Sequence, residues 1–335
     1  MIRTTFLLAL LVPLTNACGG GGPTASVGLP PEGSVDSSPP PPDSLPTDST
    51  PVPPPPPPPD SVGQPPYTPV HSGIPFGPTQ QGFLDFGPDF SGTLVPGIPD
   101  SVMLTLEAAR RANVRLFIQF SGSEQYNRDE HGFSMEKWKA RVDRFRGLDF
   151  SSYIADGTLI GHRIMDEPND ANNWSGKEVT LPEIEEMARY SKEIWPTLPA
   201  VIRAFPEYLK GYQFQYLDAA WAQYLHKFGP VEEFIATNAR EAKDAGLSLI
   251  TGLNIINGGS GSSGIPGRKG FRQLWSMGAD EIRAYGNAIL AEPHICAFLM
   301  FEYDAQYLAR PDIKAALAEL AQKAAALPKR ECRRE

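Results

Sequence analysis

Two apolar runs in this chain end in acidic side chains, and acids held in that way can move protons. The first is Gly161-His162-Arg163-Ile164-Met165-Asp166-Glu167-Pro168 and the second is Ala297-Phe298-Leu299-Met300-Phe301-Glu302-Tyr303-Asp304. A protonated carboxyl facing an ionised one can act as acid and base on opposite sides of a reacting bond. Period-two alternation groups Arg163, Met165 and Glu167 on one strand face and sends Ile160 and Ile164 to the other. It groups Phe298, Met300, Glu302 and Asp304 together, so it does not choose between Glu302 and Asp304 as the second acid. A structural role competes with the chemical one: Asp166 or Glu167 capping a turn, and Glu302 paired with Arg163 or Arg203.

Other chemistries lack their residues. The five histidines (His71, His131, His162, His226 and His294) show no HExxH or similar spacing, so no metal site is expected. No G-x-S-x-G elbow is present. Gly259-Ser260-Gly261-Ser262-Ser263-Gly264 fits G-x-G-x-x-G, but it runs into Ile265-Pro266-Gly267 where a dinucleotide site needs a helix; it reads as a loop over a cavity, and no cofactor is expected. A net charge of -9 argues against a nucleic-acid partner.

The elements that must position these acids alternate from residue 73 onward. Strand-like runs fall at Gly73–Gly77, Val114–Phe120, Thr158–Met165, Ala200–Ala204, Leu217–Gln223, Leu247–Ile256 and Ile295–Tyr303. Helical patterns fall at Ser101–Ala112, Ser134–Phe145, Leu181–Ile194, Val231–Ala245, Asp280–Leu290 and Pro311–Ala326. Such alternation implies parallel strands and right-handed crossovers, and over this length a (β/α)8 barrel is expected, with a doubly wound open sheet as the alternative. One strand is missing from the count, and Asn257–Gly278 is the expected place for it. In a barrel, polar residues at strand C-termini converge on one mouth. Gln119, Arg203, Trp221, Gln223, Asn254 and Tyr303 join Asp166 and Asp304 there as candidate substrate-binding residues, Trp221 and Tyr303 as stacking surfaces and Gln223 and Asn254 as hydrogen-bonding groups. The same barrel puts Cys296 at the bottom rim, where Cys332 also returns, so a disulfide competes with two free thiols.

Ile164-Met165-Asp166-Glu167-Pro168 resembles the Asn-Glu-Pro strand end of the large group of retaining glycoside hydrolases built on (β/α)8 barrels. The resemblance implies that Glu167 is the general acid/base and Glu302 the nucleophile, acting on a polysaccharide or oligosaccharide. The sequence departs from that pattern: Asp166 stands where the group has asparagine, Glu167 ends the third strand of the count instead of the fourth, and Glu302 ends the last instead of the seventh. Gly73–Leu327 is also similar to exported barrel proteins with a Met-Asp-Glu-Pro strand end. A barrel of this kind that binds carbohydrate without cleaving it, or that only packs against envelope partners, is the alternative.

The N-terminus reads as an address. Residues 1–17 have a positive start at Arg3 and an apolar Phe6–Leu14 core, the pattern of a signal peptide. Thr15-Asn16-Ala17-Cys18-Gly19 resembles the lipobox of bacterial lipoproteins, although Leu14 lies one position too far upstream; the resemblance implies a lipidated Cys18, and ordinary cleavage after Ala17 is the other reading. Residues 18–70 hold more than half of the 35 prolines, including Pro53–Pro59 without a break, and few large apolar side chains. Such a segment lacks the apolar surface that offsets ordering entropy and should form an extended tether, on the order of 150 Å long when stretched. The expected product is an exported monomer, membrane-anchored through lipid alone, with one barrel domain over residues 71–330.

Overall fold

The computed structural model describes residues 69–268 and 274–334. The signal segment, Cys18 and nearly all of the proline-rich stretch lie outside the described residues.

Eight parallel strands form one nearly closed barrel: β1 (Phe76–Pro78), β2 (Gly92–Pro96), β3 (Arg115–Gln119), β4 (Leu159–Asp166), β5 (Ala200–Arg203), β6 (Ala219–Tyr224), β7 (Ser248–Leu253) and β8 (Ile295–Met300). Neighbours in sequence are neighbours in space, and β8 returns to β1 with Phe76 opposite Phe298. Between β1 and β2 a few bonds close the ring: Ser91 N–H donates to Phe76 O (2.9 Å), Gln80 N–H to Leu94 O (2.7 Å), and the Thr93 hydroxyl to Pro78 O. The longer helices lie between or after strands: α1 (Val102–Ala112), α2 (Met135–Asp143), α3 (Leu181–Ile194), α4 (Val231–Asp244), α5 (Ala279–Leu290) and α6 (Pro311–Ala326). Ser134 accepts from Lys137 N–H at the start of α2, and Thr180 and Glu183 form a full capping box at the start of α3.

The eighth strand is Gly92–Pro96, not a piece of Asn257–Gly278 as expected. Its five residues start with glycine and end with proline, so in the sequence they look like punctuation between loops. The described part of Asn257–Gly278 is a loop, tied by isolated bridges from Trp275 to Gly259 and Pro266. This relocation changes the count that matters: Glu167 follows the fourth strand, Asn254 follows the seventh, and Glu302 lies just beyond the eighth.

Apolar side chains fill the barrel in two layers. Inside it, Leu94, Phe117, Val201, Trp221, Ile250 and Leu299 pack together. Outside the strands, aromatic residues such as Phe120, Trp138, Phe145 and Trp195 cover one half, and Phe76, Phe298 and the faces of α4 to α6 cover the other. Full burial of each such side chain contributes about 1.5–3 kcal/mol. At the floor, Cys296 and Cys332 are joined by a disulfide with Cα atoms 5.2 Å apart. The tail around Cys332 is laced to the strand starts: the Ser248 hydroxyl donates to Arg333 O.

Candidate active site

β4 carries the first acids to the mouth, but not by simple alternation. Its register shifts against β3 between Leu116 and Phe117, and against β5 between Arg163 and Met165. The shifts break the period-two grouping: Ile160 packs against the barrel interior, while Ile164 and Met165 both join the helix-side core. Trp138 Nε1–H holds the Ile164 carbonyl at 2.8 Å, and the His162 ring packs outward against Phe120 and Trp195. Arg163 consequently turns inward, and both Asp166 and Glu167 reach the mouth.

There Asp166 is gripped from two sides. Arg163 Nη1 donates to Oδ2 (2.9 Å) and Arg203 Nη1 to Oδ1 (2.8 Å). Burial opposes its charge, but the two guanidinium groups prevail and hold its carboxyl below the usual aspartate range. Arg163 also donates to Gln119 Oε1, and Gln119 Nε2 to Gly122 O. Glu167 shares Arg203 at 3.0 Å, yet its side chain stays half-exposed. Burial, and after it the charges of Asp166, Asp170 and Glu124, push the Glu167 carboxyl above the ordinary range against the pull of Arg203. A raised carboxyl is what a general acid needs. The Glu167 backbone has φ 41°, a left-handed conformation that costs a non-glycine residue about 1–2 kcal/mol. It is fixed by its own N–H donating to Arg203 O (2.9 Å) and by Trp174 Nε1–H donating to its carbonyl (3.0 Å).

Two cavities flank this ion group. One, of about 420 Å³, is lined by Glu167, Arg203, Trp221, Gln223 and Asn254 together with Phe205 and Phe228. The other, of about 400 Å³, is lined by Gln119, Arg163 and Asp166 with Glu124, Tyr126 and Arg141. Six of the candidate binding residues thus gather around Glu167. Trp221 is only 2% exposed, so its ring is part of the barrel packing and not an open stacking surface. Gln223 accepts from Arg203 Nη2 at 3.4 Å, and Asn254 Oδ1 accepts from Asn257 N–H at 2.9 Å.

The remaining candidates do not line these two cavities. Strand β8 ends at Met300, and Phe298 and Met300 face the helices. Beyond it the expected alternation stops, and Glu302 and Asp304 part company. Asp304 is exposed and caps the short helix Ala305–Leu308, accepting from Tyr307 N–H at 2.9 Å. Tyr303 lines a separate cavity of about 410 Å³ beside Asp85 and α6. Glu302 is buried and ion-paired with Arg268, not with Arg163 or Arg203, and its Oε2 has no hydrogen-bond partner among the described residues. Arg268 comes from the loop after β7, and no spacing rule reaches across such a loop. Phe205 and Phe228 were missed as well; each follows a strand end by a few residues, which is the signal that would have found them. No cluster of metal-ligating side chains occurs among the described residues.

No family model matches the sequence, and no curated protein does. Among solved structures, a candidate glycoside hydrolase from Parabacteroides distasonis matches with a TM-score of 0.52 at 10% identity, over 78% of this chain and 96% of that one. The barrel fold is like that of this solved structure. An endocellulase from Pyrococcus horikoshii, solved with cellotetraose, gives 0.47 at 11% identity over 75% of this chain and 92% of its own. A family 5 glycoside hydrolase mannosidase from Rhizomucor miehei gives 0.44 at 10% over 72% and 86%. At these identities the likeness is one of fold.

Proposed function

We propose that the glycoside-hydrolase-like barrel binds a polysaccharide or oligosaccharide at its mouth and cleaves it with Glu167 as proton donor. The observation that carries this reading is Glu167 itself: a carboxyl raised by burial, past the end of the fourth strand, beside Arg203 and on the wall of a cavity large enough for a sugar. Protonated, it donates to the leaving oxygen; ionised, it takes a proton from the incoming water. In this reading Glu302, buried just beyond the eighth strand and paired with Arg268, is the second carboxylate.

Two features favour a second reading, carbohydrate binding without turnover. Asn254 stands after the seventh strand, where the resemblance placed the nucleophile and where an amide can supply neither a nucleophile nor a base. Arg268 already neutralises Glu302. Release of reducing ends from a polysaccharide panel, measured on the full-length chain, separates the two. Under hydrolysis, Glu167→Gln lowers the rate by about 10²–10⁴. A rate unchanged in Glu167→Gln removes the acid assignment, and binding with no release by the native chain establishes the second reading.

We also propose that the protein is exported and held at a membrane through lipid on Cys18, from the signal-like start, the lipobox-like segment and the proline-rich stretch. Cys18→Ser would then move it from the membrane fraction to the soluble one.

A further inference from the structure

Neighbouring positions on β6 leave two buried donors unused. Trp221 and Gln223 point to the same side of the strand, both line the 420 Å³ cavity beside Glu167, and both are at least nine-tenths buried. Among the described residues neither Trp221 Nε1–H nor Gln223 Nε2–H has an acceptor. A buried donor left unpaired costs roughly 1–3 kcal/mol, so two on one wall are a feature that wants an explanation.

Most acceptors nearby are already engaged, although the Glu167 and Asp170 carboxylates also line the cavity. Both Asp166 oxygens accept from arginines, Gln223 Oε1 accepts from Arg203, and Asn254 Oδ1 accepts from a backbone N–H. A sugar hydroxyl on this wall would satisfy the donors but would find few acceptors for its own O–H. A carbonyl oxygen accepts twice and donates nothing. A sugar carboxylate would also accept, but of the cations on this wall Arg203 is paired with Asp166 and Glu167, and the charge of Lys227 is matched by that of Asp170. A neutral carbonyl is what the wall selects. Beside the donors, Ala204, Phe205, Leu225 and Phe228 give the cavity an apolar flank, with the Phe205 and Phe228 rings edge to face at 5.6 Å.

We infer that this cavity recognises the acetamido group of an N-acetylated hexosamine, Trp221 and Gln223 donating to its carbonyl oxygen and the phenylalanine flank receiving its methyl group. The inference rests on the mouth being a carbohydrate site, and it names the sugar class.

Calorimetric titration of the full-length chain with an N-acetylglucosamine tetramer, its deacetylated counterpart and cellotetraose tests it. The acetylated tetramer is expected to bind at least tenfold more tightly than either of the others. Trp221→Phe keeps the ring and removes one N–H. Gln223→Glu keeps the oxygen facing Arg203 and removes the amide donors. Each is expected to weaken the acetylated tetramer about tenfold, the worth of one buried hydrogen bond, and to narrow its advantage over cellotetraose correspondingly. Thermal unfolding identifies a variant that has lost its fold, and the other variant then decides. Equal binding of cellotetraose and the acetylated tetramer overturns the acetamido assignment while the carbohydrate site stands. Absence of binding by all three sugars overturns both.

Discussion

Lowering the pH from 7 to 5 is expected to cost the folded barrel about 2 kcal/mol through His162 alone. The ring is fully buried on the helix side of β4, with Nδ1 on the Ser191 hydroxyl at 2.8 Å and Phe120, Trp138 and Trp195 around it. Burial lowers its pKa from 6.5 to about 3. The unfolded chain therefore takes up a proton as pH falls below 6.5, and the folded chain does not until about pH 3. Stability is lost progressively across that window. At pH 5 the unfolded ring lies 1.5 units below its pKa, and at about 1.36 kcal/mol per unit the loss is about 2 kcal/mol. His71, lowered to about 4 by burial and then by Arg115 and Lys329, adds a loss of the same sign. A His162→Phe variant isolates the first contribution, because phenylalanine keeps an aromatic ring in the cage and cannot be protonated, while His71 is common to both proteins. Urea unfolding at pH 7 and pH 5 should show the native chain losing about 2 kcal/mol more than His162→Phe. Equal losses in the two proteins would refute the reasoning. The strand concerned is the one that ends in Asp166 and Glu167, so acid reaches the mouth through its supporting wall.

Three further outcomes follow from the geometry. Replacing Arg203 with methionine removes the positive charge that restrains Glu167, so the Glu167 carboxyl should titrate at still higher pH, read directly by carbon NMR. Cys332→Ser opens a link across 36 residues and should cost about 3–4 kcal/mol in urea unfolding under oxidising conditions. Gly252→Ala places a Cβ 1.9 Å from the Leu299 carbonyl oxygen, between β7 and β8, and should lower the thermal midpoint by an amount equivalent to about 1–3 kcal/mol or more.

Strand–helix alternation revealed the barrel because the runs around β3, β4, β7 and β8 are apolar enough to be recognised one by one. Gly92–Pro96 escaped because its ends are residues that usually stop strands. That single omission displaced every later strand number, and restoring it puts Glu167 after the fourth strand, where the resemblance expects its acid. Glu167 was legible as a mouth residue because it directly follows a long apolar run. Its orientation was not, since a register shift is set by how neighbouring strands pack and leaves no mark in the alternation of one strand. For the same reason Asp304 looked equivalent to Glu302 until the chain turned at the end of β8 and made one a helix cap and the other a buried partner of Arg268. Side chains delivered by long loops, such as Arg268 and Phe228, belong to that same class of features decided only in three dimensions.

The first described residues and the last ones share an address on the molecule. The Val70 carbonyl accepts from Asn113 at the finish of α1, and the Arg333 carbonyl accepts from Ser248 at the start of β7, both on the side where strands begin. Glu167 and its cavity stand where strands finish. A bead or a fluorophore coupled at Val70 or Arg333 would therefore meet the molecule's underside and leave the opposite opening clear.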